Sequence, residues 1–177
     1  MTQITYQIDP AHSTAGFKVR HLMVANVRGE FSKVSGTVVF DPDAPESSRI
    51  TAAIDASSIH TRDEQRDAHL KSADFLDVEK FPTIEFVSRK ISGSGDEWKV
   101  TGDLTIHGVT REVVLDVDGP APEARDPWGN TKTGASATTK ISRKDFGLSW
   151  NQALETGGVL VGDEVTISLE VELARTV

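Results

Sequence analysis

The side chains best suited to proton transfer or metal ligation are five histidines: His12, His21, His60, His69 and His107. None makes the His-x-His, His-x-x-x-His or His-Glu-x-x-His spacing that aims two ring nitrogens at one metal. His12 and Ser13 adjoin, but neighbours on a strand point to opposite faces, which is poor geometry for a base and its nucleophile. Asp67 with His69, and Asp74 with Asp77, are readable as acid/base pairs, yet charges in so polar a stretch read as a solvated face. The chain has no cysteine, which excludes disulfides, thiolate nucleophiles and Cys-ligated zinc. No Gly-rich loop follows a strand and opens a helix, so a nucleotide has no phosphate cradle. These residues predict no enzyme, no metal and no required cofactor.

The elements that would position any site are strands. From Asp163 to Leu173 the chain alternates: Val165, Ile167, Leu169, Val171 and Leu173 fall on one face, with Glu164, Thr166, Ser168, Glu170 and Glu172 on the other. Period-2 alternation buries one face and wets the other. The pattern recurs at Trp98, Val100, Leu104 and Ile106, and at Ala15, Phe17 and Val19. Strands are expected over 4–9, 14–20, 31–41, 49–56, 83–91, 97–107, 110–118, 131–141 and 163–174, separated by Gly, Pro, Asp and Ser clusters. One stretch reads as helix. Thr61-Arg62-Asp63-Glu64 fits a capping box, which predicts a helix over about 62–72 with Asp67 and Lys71 as an i,i+4 pair. Leu70, Phe75 and Leu76 would face inward from it. Ser142-Arg143-Lys144-Asp145 fits a second box opening one helical turn that Gly147 closes. Gly36 and Gly102 fall on inward faces, where glycine leaves room for a ligand or marks a bulge or sharp bend.

The expected architecture is all-β, one domain over 1–177: an antiparallel barrel of about eight strands with a short helical insertion near residues 62–72. A length of 177 residues suits one such core. A net charge of -8 argues against nucleic acid, which needs a surplus of Lys and Arg, and against adsorption on an anionic membrane face. No apolar run approaches a membrane span, so no stable insertion is expected. The start, Met1-Thr-Gln-Ile-Thr-Tyr6, has no basic region followed by an apolar one. That predicts a cytoplasmic location for the chain as written, and a periplasmic one if a leader has been trimmed.

Several blocks are familiar as a set. They are Tyr6-Gln-Ile-Asp-Pro-Ala-His-Ser13, Phe17-Lys-Val-Arg-His21, Val27-Arg-Gly-Glu-Phe31, Asp67-Ala-His-Leu-Lys-Ser-Ala-Asp-Phe75, Phe81-Pro-Thr-Ile-Glu-Phe86, Gly102-Asp-Leu-Thr-Ile-His-Gly-Val-Thr110 and Ile141-Ser-Arg-Lys-Asp-Phe-Gly147. In this order the chain resembles the YceI-like family of polyisoprenoid-binding proteins. The resemblance implies a lipocalin-like barrel whose apolar channel holds an isoprenoid-type lipid: a polyprenyl chain, a polyprenyl phosphate or a quinone, for transport or storage. Many members of that family carry a secretion signal, and this chain as written has none.

A polyprenyl tail offers no hydrogen bonds, so its capture needs only apolar surface. The inward strand positions are Phe17, Val19, Val38, Phe40, Ile54, Ile84, Phe86, Leu104, Ile106 and Leu115. The capping segments add Leu22, Val27, Phe31, Leu70, Phe75, Phe81, Phe146, Leu148 and Trp150. Each also reads as ordinary core. A head group would want polar contacts at the mouth, for which Arg20, His21, Arg143 and Asp145 stand next to apolar candidates. Arg143 and Asp145 also read as a helix-terminus pair or cap, and His21 as a structural histidine. Two other classes stay open. A barrel enzyme acting on a lipid would carry a titratable group inside the channel with a shifted pKa. A stress-related interaction protein with a packed core would show an exposed apolar patch, which no strand carries on its outer face. A homodimer through an edge strand or the loop around Trp128 is a further expectation.

Overall fold

Alternating sequence becomes strand wherever the run is long enough to bury one face. The computed structural model describes residues 3–154 and 159–176, so the two ends of the expected domain lie outside the described residues. The strands are β1 (Ile4–Ile8), β2 (Thr14–His21), β3 (Ala25–Phe31), β4 (Val34–Phe40), β5 (Arg49–Asp55), β6 (Ile59–His60), β7 (Thr83–Ser94), β8 (Glu97–Ile106), β9 (Val109–Asp118), β10 (Ala124–Arg125), β11 (Thr131–Ser142) and β12 (Val161–Arg175). Among the described residues the α-helix is α1 (Glu64–Lys71).

Eight antiparallel strands form a closed ring in the order β11–β9–β8–β7–β5–β4–β1–β12, and β12 pairs back onto β11 from Ser142↔Glu164 to Lys132↔Ala174. Closure leaves the ring without a free edge. On its other side β12 has two partners in succession. Val165 to Glu170 pair with β2, in the register Val165↔Val19 to Glu170↔Thr14. Leu173 to Arg175 pair with β1, in the register Ile8↔Leu173 to Tyr6↔Arg175. The barrel wall therefore forks, and the β2–β3 hairpin, with Lys18 opposite Arg28, becomes the wall at one end. The small strand β6 pairs with β3 at Phe31↔Ile59.

The fork is where the strand expectations fail. Residues 22–31 are a turn and a strand rather than a capping segment, and Phe31 ends β3 instead of opening a strand over 31–41. The alternation there is weak because Gly29 interrupts the apolar face between Val27 and Phe31. The helix also starts differently. Its N-cap is Asp63, whose carboxylate accepts from the Arg66 amide at 3.0 Å. Thr61 instead directs its amide (2.8 Å) and hydroxyl (2.6 Å) to the Asp67 carboxylate. Asp67 therefore ties α1 back to the chain before it, in place of the expected pair with Lys71. At the second predicted box, Arg143–Phe146 form one 3-10 turn closed by Gly147 in the left-handed conformation, and the Ser142 side chain makes no cap.

The glycines resolve toward bends rather than ligand space. Gly102 pairs with Ser88 next to a bulge at Arg89, and a Cβ there would meet the Phe86 ring at 2.4 Å. The ring of Phe86 takes the space that a side chain would fill. Gly36 lies against β5, where a Cβ would meet the Thr51 carbonyl at 2.3 Å.

Candidate functional site

The inward faces of these strands do not meet. They enclose a cavity of about 650 Å³ that runs through the barrel. Side chains from every strand of the ring line it, together with β2, β3 and α1. Such a volume lies within the range that holds small organic ligands, roughly 300–1,000 Å³.

Along its length the wall is aliphatic and aromatic. Of the positions named from sequence, Phe17, Val19, Val27, Phe31, Val38, Phe40, Ile54, Ile84, Phe86, Leu104, Ile106 and Leu115 line it. So do Leu70, Phe75, Leu148 and Trp150. The rings of Phe17 and Phe31 pack at 5.7 Å across the β2–β3 hairpin. Sequence reasoning left out the β12 wall, Val165, Ile167, Leu169 and Val171, and the matching positions Val34, Ile50, Val113 and Val117. The β12 alternation was the signal for the first four.

Three apolar candidates do not reach the cavity. Leu22 sits at the β2–β3 turn with its side chain in solvent, held in a left-handed conformation by the tight turn. Phe81 covers the His107-Gly108 turn from outside, 4.8 Å from the His107 ring. That two-residue connection has positive φ at both positions, as a hairpin turn matched to strand twist requires. Phe146 is buried in the core among residues of the wall and does not line the cavity.

Polar groups gather at one end. Arg20 and His21 line the cavity where β2 ends, beside Val161 at the start of β12. Helix α1 and its cap add Asp63, Gln65, Arg66 and His69, none of which sequence reasoning placed at the site. His69 is fixed there by the Asp74 carboxylate at 2.9 Å and by the rings of Phe75 and Trp150, at 5.1 and 4.7 Å. Arg66 is held by Thr61, from its Nε to the hydroxyl and from its Nη2 to the carbonyl, both at 2.7 Å.

Arg143 reaches this mouth but its donors are already used. It is 3% exposed. Its guanidinium donates to the carbonyls of Gly162 (2.8 Å), Leu148 (2.6 Å), Trp150 (2.9 Å) and Val161 (3.2 Å), with Asp163 at 3.7 Å. Burial pulls its pKa below the usual arginine value, while Asp163 opposes that shift. Arg143 thus fastens the loop after β11 to the start of β12. Asp145 is exposed and does not line the cavity.

At the opposite end Tyr6 lines the cavity and donates its hydroxyl to Glu123 at 2.5 Å. Burial, reinforced by that carboxylate, pushes Tyr6 up to about 12. Outside the barrel, on the β1–β12–β11 seam, Asp9, His12 and Glu172 bring three potential ligand atoms within 4.8 Å of one another. The Lys132 ammonium, 2.8 Å from Asp9, supplies the positive charge there. Its hydrogen bond, followed by that of His12, holds the Asp9 carboxyl well below the usual carboxylate range. This is a self-neutralised ionic cluster, and it was not foreseen from sequence although Asp9 and His12 lie in the opening block.

Comparison with known proteins gives consistent matches. The profile of the YceI-like domain matches residues 6–173. The UPF0312 protein SAS2572 of Staphylococcus aureus (strain MSSA476) is 40% identical over 174 residues, covering 98% of each chain. The crystal structure of BcnA from Burkholderia cenocepacia superposes with a TM-score of 0.78 at 25% identity, over 93% of this chain and 98% of that one. A polyisoprenoid binding domain from Saccharophagus degradans superposes with a TM-score of 0.69 at 14% identity, over 97% of this chain and 98% of that one, and shares the fold.

Proposed function

The chain belongs to the YceI-like family, and from that premise we propose that it is a non-catalytic carrier of an isoprenoid-type lipid. The cargo is a polyprenyl chain, a polyprenyl phosphate or a quinone, bound for transport or storage. The observation that carries this reading is the cavity: about 650 Å³ with a largely apolar wall and a mouth lined by Arg20, His21 and α1. Each CH₂ removed from water contributes about 0.8 kcal/mol, so a prenyl tail gains affinity steadily with length and needs no polar partner. The fold match to a polyisoprenoid binding domain is in keeping with such a ligand.

In this reading the tail lies along Phe17, Phe31, Ile54, Phe86, Leu104 and the β12 residues, and the head stays at the mouth near Arg20 and His21. Leu22, Phe81, Phe146 and Asp145 are no part of the site, and Arg143 shapes the mouth without contacting cargo. No cofactor enters beyond the lipid itself, and no reaction is required of it.

The test is mass spectrometry of an organic extract of the purified protein, paired with native mass spectrometry and with uptake of added polyprenol or quinone. One lipid per chain is the expected result. Phe86→Asp or Leu104→Asp should abolish uptake, and Val27→Trp, which fills the channel without burying charge, should reduce it at least tenfold. Changing His60, exposed beside Glu30, should leave uptake intact. A bare protein that takes up no added lipid, or equal uptake by wild type and channel variants, would sink the reading.

A further inference from the structure

The β2–β3 hairpin carries features that its role as a wall does not require. At its turn Leu22, Met23 and Val24 are 42%, 52% and 73% exposed. Leu22 and Met23 hold φ of 54° and 62°, a left-handed conformation for which glycine or asparagine is the ordinary choice. The turn is not loose. The Leu22 amide donates to the Leu160 carbonyl at 2.9 Å, the Val24 amide to His21 at 3.1 Å, and the Arg20 guanidinium to the Met23 carbonyl at 3.2 Å. Three consecutive apolar side chains are therefore held out into water by an ordered turn, although polar residues would suit water better.

The second feature is charge. Along residues 14–31 stand Lys18, Arg20 and Arg28 against one acid, Glu30, in a chain whose net charge is -8. Lys18 and Arg28 are directly opposite across the hairpin. Like charges so placed are unfavourable for a strand pair. Among the described residues neither side chain makes an ion pair or a hydrogen bond, and Glu30 lies beside His60 instead. The pair thus calls for an anion that the protein does not supply.

The third feature is position. Arg20 and His21, immediately before the tip, line the polar mouth of the cavity. A surface offering anionic groups above an apolar layer fits this order of parts: cations at the headgroups, Leu22 to Val24 below them, and the mouth facing the layer. A second copy fits less well, because a two-fold contact through this face brings the Lys18/Arg28 pair against its own image.

We propose that the β2–β3 hairpin docks the barrel on a bilayer with anionic headgroups and holds the cavity mouth against it. The docking is peripheral, and for its purpose, though not for its geometry, it rests on the lipid-carrier reading. Net charge averages over the whole surface, whereas this basic hairpin borders the mouth.

The experiment is flotation of the purified full chain with vesicles of phosphatidylcholine and phosphatidylglycerol in equal parts, and with phosphatidylcholine vesicles. Wild type should float with the anionic vesicles, weakly with the neutral ones, and less as salt is raised. Met23→Ser/Val24→Ser and Lys18→Glu/Arg28→Glu should each lower flotation about tenfold, while both variants still take up polyprenol from detergent solution. No flotation by wild type, or undiminished flotation by both variants, overturns the proposal. So does a wild-type dimer that the tip variant dissolves while vesicles go unbound, since the tip then belongs to a second copy. Uptake from detergent keeps the two readings apart: protein that takes up lipid but ignores vesicles refutes docking alone, and protein that takes up none refutes the carrier.

Discussion

The Asp9, His12, Glu172 and Lys132 cluster illustrates how single residues set the behaviour of the molecule. Asp9 titrates below its ordinary value near 3.8, so its contribution is present above that pH and is lost as pH falls through the folded value. His12 is raised above its ordinary 6.5, chiefly by its hydrogen bond to Asp9, so its contribution is full below 6.5 and is lost as pH rises through the folded value. The cluster is strongest between those limits. Asp9→Asn should flatten the dependence of stability on pH on both sides, as followed by the urea midpoint from pH 3 to 8; an unchanged profile would show that the cluster is energetically idle. Such residues were hidden in the sequence because Glu172 and Lys132 lie more than a hundred positions away. Arg20 and His21 were legible at the mouth because both adjoin apolar strand residues. His69 and Arg66 were not, since a polar helix shows no period that marks which of its faces meets a cavity.

At the scale of elements, most strands could be read from alternation, with β3 and the two-residue strands β6 and β10 as the exceptions. β3 was missed because Gly29 stands where a side chain would meet the Phe17 ring at 2.4 Å, so the inward face loses an apolar residue there. The helix was read in the right place with the wrong cap, since Thr61 and Asp63 are both good caps and only tertiary structure assigns Thr61 to Asp67. The 3-10 turn after β11 depends on Arg143, which donates to two carbonyls of β12, Val161 and Gly162, and to two of the following loop, Leu148 and Trp150. Arg143→Met leaves those buried acceptors without their donor and should cost about 3 kcal/mol or more. Lysine should rescue little, because a point ammonium does not span the fork. A urea midpoint close to wild type for Arg143→Met would refute this account of the loop.

For the whole molecule, the barrel and its closure followed from pattern, whereas its hollowness followed from the resemblance alone. Inward Phe, Ile and Val spell the same pattern in a packed barrel as in an empty one, and only the strand number and shear decide which. Hollowness couples stability to cargo. A ligand bound to the folded chain at a hundred times its dissociation constant adds about 2.7 kcal/mol. For a chain of this length that corresponds to a Tm higher by about 5–10 °C than that of delipidated protein. A calorimetric scan of the two forms tests it, and coincident transitions would mean that the cavity takes up nothing.

The strand that completes the ring, β12, is also the last of the described strands, and it joins β11 to both β1 and β2. A ribosome adds roughly 5–20 residues per second, so the other walls are finished seconds before their seam exists. Until β12 emerges, the apolar lining of the future cavity is an open concave sheet with two unpaired edges. The nascent chain is therefore most exposed to aggregation in the interval before β12 is made. A chain cut short ahead of Val161 would lose three neighbouring strands' pairing at once and stay in that open state.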